Sequence, residues 1–583
     1  MRRLTAESGL PPELQTVVRT TVRATRLRMR EKLDVARELI AHFRDGLEAG
    51  QNADALLRSF GDVALAARLI RRARIRQRSA FYRATAATIR YGLLFAATSY
   101  ALLSVRYYWG EVRLTRNYVR EFNAPILAIP EADRAWPTYR RAYLAAGKWP
   151  TERWVESEGP SSPDWERLGG YLAANNESLR LYREAAAKPA LGAVLSTATD
   201  EELSRHLEDP VSRNAPIHAV EESENPPFVA VLLPYLRPLR FGSRMLRIDT
   251  LLAAEQGDGP RVVENVLAML AMADHCAEPP LLICDLASNA MVSLAALTIG
   301  EVVARRPAVG ADAGWVRISH RLAGVRGGGA LQMRLDGERA NFEDYVQRTY
   351  TDNESGDGHL RLDAESIFQR LVEIADSPNV LRPSMLLAPI ISAATASRRD
   401  LIRKYDEMLG LVEQESARPL WHRDVSALER ETERLTGSSI ENSRYLFVGM
   451  LFPSLSRAGY LFEVATQERD AALVAIALEL YRRAHGAYPP ALDALVPRYL
   501  PAVPPDRYDG KPLKYRLVNG RPLLYSVGVN RVDDGGVLPK AETPAKANVV
   551  AREWIPPSQL PTTTTEKKRI RGDWILWPPV DIE

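Results

Sequence analysis

The sequence predicts a mainly α protein. It would comprise a small helical N-terminal bundle, one transmembrane helix, a large α-helical middle domain and a C-terminal α+β module. Three observations carry that expectation. Apolar residues recur at helical spacing over most of the 583 residues. One run, Tyr91 to Val105, holds no charge and is approached by a dense series of arginines. Near the C-terminus, Leu513, Tyr515 and Leu517 alternate, Asn519-Gly520 follows, and Leu523, Tyr525 and Val527 alternate back. That last pattern is a hairpin with a type I′ turn.

Residues 1–80 form the first domain. Leu33, Ala36, Leu39, Ile40, Phe43 and Leu47 make one apolar stripe, and Gly50 is placed to end their helix. Asn52 can cap the next helix, whose Leu56, Leu57 and Phe60 face inward. Gly61-Asp62 supplies a stop and a new cap, and Leu65, Ala66, Leu69 and Ile70 continue the pattern. His42 has no partner His or Cys nearby, so it reads as a structural polar residue rather than a ligand.

The string Glu38-Leu-Ile-Ala-His42, with Ala55-Leu-Leu57 and Phe60-Gly61-Asp62, resembles the bacterial HAAS or permease-prefix domain over about residues 13–72. That resemblance implies a regulatory helical domain placed just before a membrane span. Val63 stands where the family usually has proline.

The span is expected within residues 84–109. About 20 mostly apolar residues are needed to cross the hydrocarbon core. Ala84 to Val105 supplies that length if Arg90 reaches toward the head groups. Tyr107, Tyr108 and Trp109 are residue types of the membrane–water interface. The arginines lie on the N-terminal side (Arg71, Arg72, Arg74, Arg76, Arg78, Arg83), so the positive-inside rule puts the N-terminus in the cytoplasm and the bulk outside. The expected location is therefore the cell inner membrane, single-pass. Charge agrees: residues 1–90 hold nineteen Lys+Arg against nine Asp+Glu, a net of +10, and the remainder carries −6. A basic stub beside a membrane is attracted to anionic lipid. The partners expected are the lipid bilayer and other proteins. Without aromatic interleaving or a recognised motif, nucleic acid is not expected.

Residues 110–460 read as helices joined by proline-containing breaks at Lys148–Trp165, Glu221–Pro227, Gly257–Pro260 and Pro279-Pro280. They suggest a bundle or stack without a fixed repeat. Phe447–Ser456 is a second apolar stretch, too short to span and read as a buried helix. Gly324–Gly329 lacks the Gly-Lys-Ser/Thr ending of a phosphate loop and reads as a turn. Asp352–Gly358 lacks calcium-loop order. Cys276 and Cys284 either pair, if exported, or form two buried thiols. His320 and His422 have no evident nucleophile, and no Gly-x-Ser-x-Gly or His-Glu-x-x-His occurs. No catalytic residue or organic cofactor is indicated. An enzyme would need carboxylates such as Glu301, Asp336, Glu338 and Glu343 to converge.

Residues 465–540 form the last module. Leu473, Ala477, Leu480 and Tyr481 make a helical stripe. After it come Tyr488-Pro-Pro490, a short helix around Leu492–Leu500, Asp509-Gly510, the hairpin and Asp533-Asp-Gly-Gly536. In that order the motifs resemble the globular half of the type II secretion major pseudopilin. The resemblance implies calcium at the final loop, with Asp533 and Asp534 the matching positions. The alternative is a plain Asp-Gly turn. Where that family has a cleavable leader and a long apolar helix, this chain has Gly459-Tyr-Leu-Phe-Glu463 without a span. A fixed extracytoplasmic module is therefore expected rather than a filament subunit. Residues 541–583 are a Pro/Thr-rich tail whose Trp574–Trp577 segment can return to the body. Three functions fit: a non-enzymatic binding, regulatory or scaffold protein, a secretion or pilus-like component, and an envelope hydrolase.

Overall fold

A computed structural model describes residues 2–78, 80–150, 159–196, 225–362, 386–424, 426–436, 444–445, 448, 453–541, 543–552 and 572–580. The protein is mainly helical with a small three-stranded sheet. It divides into two compact units, Met1–Val105 and Arg106–Glu583. Parts of Lys148–Trp165, Glu221–Pro227 and Phe447–Ser456, and most of the Pro/Thr tail, including Thr562–Lys568, lie outside the described residues.

In the first unit, Pro12–Ala24, Met29–Glu48, Ala53–Phe60 and Val63–Gln77 are helices. Leu14, Val18, Val22, Val35, Ala36, Leu39, Ile40, Phe43 and Leu56 form its core. The helix starts are those that side-chain chemistry dictates. Asn52 accepts a hydrogen bond from the Ala55 N–H at 2.8 Å, and Asp62 accepts one from Ala64 at 2.8 Å. Gly50 and Gly61, with φ of +82° and +73°, end the helices before them. The expected stripe on Val63–Gln77 is rotated: Ala67 is buried, whereas Leu65 and Leu69 are exposed. The reason is that Arg74 and Arg78 reach back to Glu38 and Glu31, which fixes the helix with its leucines turned outward. His42 is exposed.

Ala80–Tyr108 follows as one helix of 29 residues, about 43 Å long at 1.5 Å per residue. Its most apolar window lies inside Ala87–Tyr108 and has no buried residue. Tyr91, Leu93, Leu94, Phe95 and Leu102 are all exposed. A second helix, Leu282–Arg305, is also long and apolar enough to cross a membrane, but 61% of its window is buried. Length and composition therefore do not single out one span; burial separates the two helices.

In the second unit the core is built on Leu236–Glu255, Gly259–Cys276, Leu282–Arg305 and Pro453–His485, with Leu282–Arg305 packed against the other three. The helix Pro453–His485 runs for 33 residues. Its Val474, Ala475, Ile476, Ala477 and Leu478 are buried in the common core. Close approach is set by two glycines: a Cβ on Gly259 would lie 2.4 Å from the Cα of Gly310. Polar seams cross this core as matched pairs. Arg247, 1% exposed, makes two 3.0 Å bonds to Glu301, and Asp249 lies between Arg183 (2.5 Å) and Arg261 (2.6 Å). Cys276 and Cys284 are buried and unpaired thiols.

The sheet has the order β1-β2-β3, all antiparallel, with β1 Lys514–Val518, β2 Arg521–Ser526 and β3 Trp574–Trp577. Val518 pairs with Arg521 across Asn519 and Gly520, whose φ values of +50° and +76° are those of a type I′ turn. β3 brings the tail back onto the body: the Trp577 indole N–H donates to the Gly300 carbonyl at 3.0 Å.

Candidate functional sites at the helix exit and the acidic loop

The first site is where the chain leaves the exposed helix. Tyr107 is 2% exposed, although its neighbours Tyr108 and Trp109 point into solvent. The His359 Nε2–H donates to the Tyr107 carbonyl at 3.1 Å, and the Leu362 N–H donates to the Tyr107 hydroxyl at 3.0 Å. With Nε2 as donor, Nδ1 is the acceptor, and the Thr351 hydroxyl supplies its proton at 3.2 Å. Burial holds the His359 imidazole below its usual range, and the cations Arg106 and Arg361 act the same way. Arg361 lies over the Tyr107 and Tyr108 rings at 5.3 and 5.9 Å and donates to the Gly110 carbonyl.

The following segment is fixed equally firmly. The Asp352 N–H donates to Glu111 at 2.9 Å, and Gly110 (φ +97°) brings the backbone against Thr351. The Gln347 carbonyl oxygen accepts from the Thr115 and Arg116 N–H groups at 3.2 Å, and its amide donates to the Arg116 carbonyl. Asp352–Gly358 is accordingly a self-capped loop. Asp352 accepts from Glu354 and pairs with Arg398 at 2.7 Å, and Asp357 accepts from Gly358 and Arg399. These oxygens serve the clamp.

The second site is the acidic loop. Asp533 accepts from the Tyr525 hydroxyl (3.0 Å) and the Gly535 N–H (3.0 Å). Asp534 accepts from the Asn530 amide (3.0 Å) and the Gly572 N–H (2.8 Å). Asp573, fully buried, accepts from the N–H groups of Asp534 (3.2 Å) and Gly536 (2.6 Å). Burial pushes the Asp573 carboxyl up to about 6, with Asp534 and Asp533 adding like-charge repulsion. Calcium takes six to eight oxygens. Here the carboxylates are turned toward the loop's own donors, and among the described residues no three His, Cys, Asp or Glu groups converge on a metal position. The loop as arranged is a turn stapled by the Asp573 carboxylate, which comes from the segment just before β3. Sequence reading missed Asp573, because nothing local in Arg571-Gly-Asp573 marks a partner 39 residues away.

The carboxylates considered for catalysis do not meet. Glu301 pairs with Arg247, whereas Glu343 pairs with Arg116 at 2.9 Å and accepts from Tyr118 at 2.7 Å. Asp336 is exposed at a helix start, and burial raises Glu338. His320 and His422 are exposed. A cavity of about 130 Å³ lined by Asp400, Arg403, Lys404, Glu407, Leu435 and Tyr445 is well below ligand-pocket size, and its charges are mutually paired. In Gly324–Gly329, three successive left-handed glycines (327–329) let Arg326 reach Asp285 at 2.8 Å, so the segment is a tight structural turn. No family model, curated protein or solved structure matches the chain.

Proposed function

We propose that this chain is a single-pass membrane protein of the bacterial inner membrane that acts without catalysis, as a binding, regulatory or envelope-associated scaffold. Residues 1–80 would be a HAAS-like cytoplasmic domain, and Ala80–Tyr108 the span. Residues 106–583 would be the extracytoplasmic body, ending in a pseudopilin-like module. The observation that carries this reading is a contrast between two apolar helices. Leu282–Arg305 is covered by protein, whereas the apolar window of Ala80–Tyr108 is covered by none. Exposed apolar surface of that length is costly in water and matched to a hydrocarbon core.

The clamp at Tyr107–Arg116 supports a body whose own first residues are fixed to it by hydrogen bonds. The module's own helix supports a fixed rather than a filament-forming use. Pro453–His485 is packed into the body, and its Glu463 is held between Arg423 (2.6 Å) and Arg507 (2.5 Å). The partners proposed are the lipid bilayer and other proteins, not nucleic acid.

Protease protection on oriented membrane vesicles tests the topology. A C-terminal tag should be digested only from the extracytoplasmic face and an N-terminal tag only from the cytoplasmic face. Digestion of the C-terminal tag from the cytoplasmic face alone would overturn the assignment.

A further inference from the structure

We infer that the outer face of the helix Val63–Gln77 lies on an anionic lipid surface. Leu65 and Leu69 enter the boundary layer, and Arg68, Arg72 and Arg76 meet the head-group phosphates. This rests on the reading that Ala80–Tyr108 crosses a membrane, and it concerns the first compact unit alone.

The outer face is defined by what the inner face holds. Ala67 is 2% exposed, Ile70 packs on the core of the unit, and the helix lies against Pro12–Ala24. Each residue of an α-helix advances about 100°, so Leu65, Leu69, Arg72 and Arg76 fall within roughly 60° of one another, opposite Ala67 and flanked by Arg68. Leu65 is 55% exposed and Leu69 58%, and the three arginines are exposed with them. The arginines of this segment divide by role. Arg74 and, at the helix end, Arg78 are held by Glu38 and Glu31, which fixes which face turns outward. Arg68, Arg72 and Arg76 form no ion pair among the described residues, and Val63–Gln77 contains no acid.

Two leucines and three arginines on one acid-free face call for a partner that is both apolar and anionic. A lipid boundary has that composition at one depth, with acyl chains for the leucines and phosphates for the arginines. A nucleic acid supplies the phosphates but no apolar layer for the leucines. Chain continuity keeps the lipid within reach. Only Arg78 and Ser79 separate Gln77 from Ala80, so the Cα atoms of Gln77 and Ala80 are at most roughly 11 Å apart. The arginine-bearing end of the face is the end joined to the span, and each arginine beside an anionic surface strengthens attachment roughly five-fold.

The test uses the full-length chain in vesicles of phosphatidylethanolamine and phosphatidylglycerol, and in vesicles of phosphatidylcholine alone. Leu69→Cys carries an environment-sensitive fluorophore; Cys276 and Cys284 are buried and stay unlabelled. Phe95→Cys reports the span. Thr16→Cys, exposed on the helix packed against the inner face, reports a position away from the proposed contact. Nitroxide placed high on the acyl chains should lower emission at 69 roughly two-fold in the anionic vesicles but leave 16 unchanged. That loss should vanish in phosphatidylcholine, with Arg72→Gln and Arg76→Gln together, and in the unsubstituted arginine background at about 1 M salt, where screening acts within about 3 Å. The salt measurement needs no arginine variant, so a folding defect in the double variant cannot imitate the result. Nitroxide at mid-chain should quench 95 under every condition. If 95 is quenched while 69 responds to aqueous iodide as 16 does, the surface contact is refuted and the span stands. Equal quenching at 69 in neutral and anionic vesicles refutes the anionic assignment. Shielding of 69 from both quenchers means that a protein partner or a second copy covers the face, and the proposal is again refuted. If 95 itself escapes the lipid quencher, the membrane reading fails first and the inference falls with it.

Discussion

Lowering the pH from 7 to 5 should destabilise the second unit through one imidazole, that of His275. The side chain is buried, with both nitrogens committed: Nε2–H donates to the Lys188 carbonyl at 3.0 Å and Nδ1 accepts from the Tyr139 hydroxyl at 2.8 Å. A second proton has no acceptor to meet, and burial holds the pKa down at about 4. In the unfolded chain it returns to about 6.5. As pH falls, the unfolded state therefore binds the proton first. Stability is complete above the unfolded value and is lost as pH falls from about 6.5 toward about 4. The loss is about 2 kcal/mol at pH 5 and approaches about 3 kcal/mol at pH 4. Unfolding entropy for a unit of this size, Arg106–Glu583, is about 1 kcal/mol per degree near 60 °C, so the pH 5 shift in Tm is about 2 °C. Other groups titrate in the same interval, and His359 adds a loss of the same sign. The assay is therefore a double difference: Tm at pH 7 minus Tm at pH 5, in the native chain and in His275→Gln. The variant should be less stable at pH 7 but about 2 °C less sensitive to acid. Equal acid sensitivity in both proteins would refute a neutral buried imidazole.

Three further outcomes are expected. Arg247→Leu should cost about 3–5 kcal/mol, because Glu301 is then left buried without its bidentate partner; chemical denaturation checks this, and Glu301→Leu in the same chain should recover part of the loss. Gly242→Ala would place a methyl 2.2–2.7 Å from the Tyr182 ring, and the forced shift should cost about 1–3 kcal/mol by the same assay. Millimolar calcium should leave the melting of the native chain unchanged, since Asp533 and Asp534 are engaged by the loop's own donors; a rise in Tm abolished by Asp534→Asn would show instead that the loop rearranges around the ion.

Local chemistry was legible wherever one residue decides one turn of chain. Asn52, Asp62, Gly50 and the Asn519-Gly520 turn were readable because each satisfies or permits a backbone conformation within three residues of itself. The return of Trp574–Trp577 was legible for a different reason, being an isolated aromatic pair in a polar tail. What could not be read is what depends on distant partners. Gln347 holds Arg116 across 231 residues, and Asp573 staples a loop whose acids alone had drawn notice. The outward turn of Leu65 and Leu69 was hidden for the same reason, since Glu31 and Glu38 on another helix decide it.

The two apolar helices show why the limit is physical. By length and hydropathy, Ala80–Tyr108 and Leu282–Arg305 are alike, and the second is the more apolar. They differ in how their charged groups are met. Leu282–Arg305 carries Asp285 and Glu301 into the core, and each is matched by arginine from elsewhere: Asp285 by Arg326 at 2.8 Å and also by Arg334, Glu301 by Arg247 at 3.0 Å. An unpaired carboxylate at such depth is strongly unfavourable in protein or lipid. Only a protein interior supplies fixed arginines on two sides of one helix. The long run of Ala80–Tyr108 carries no acid at all, and its arginines lie toward its ends or on the approach, where long stems reach water. A buried acid with a distant arginine therefore marks a core helix, and Ala80–Tyr108, which carries no acid, has no such tie to a core. That rule needs the partner's address, and the partners of Asp285 and Glu301 are 41 to 54 residues away.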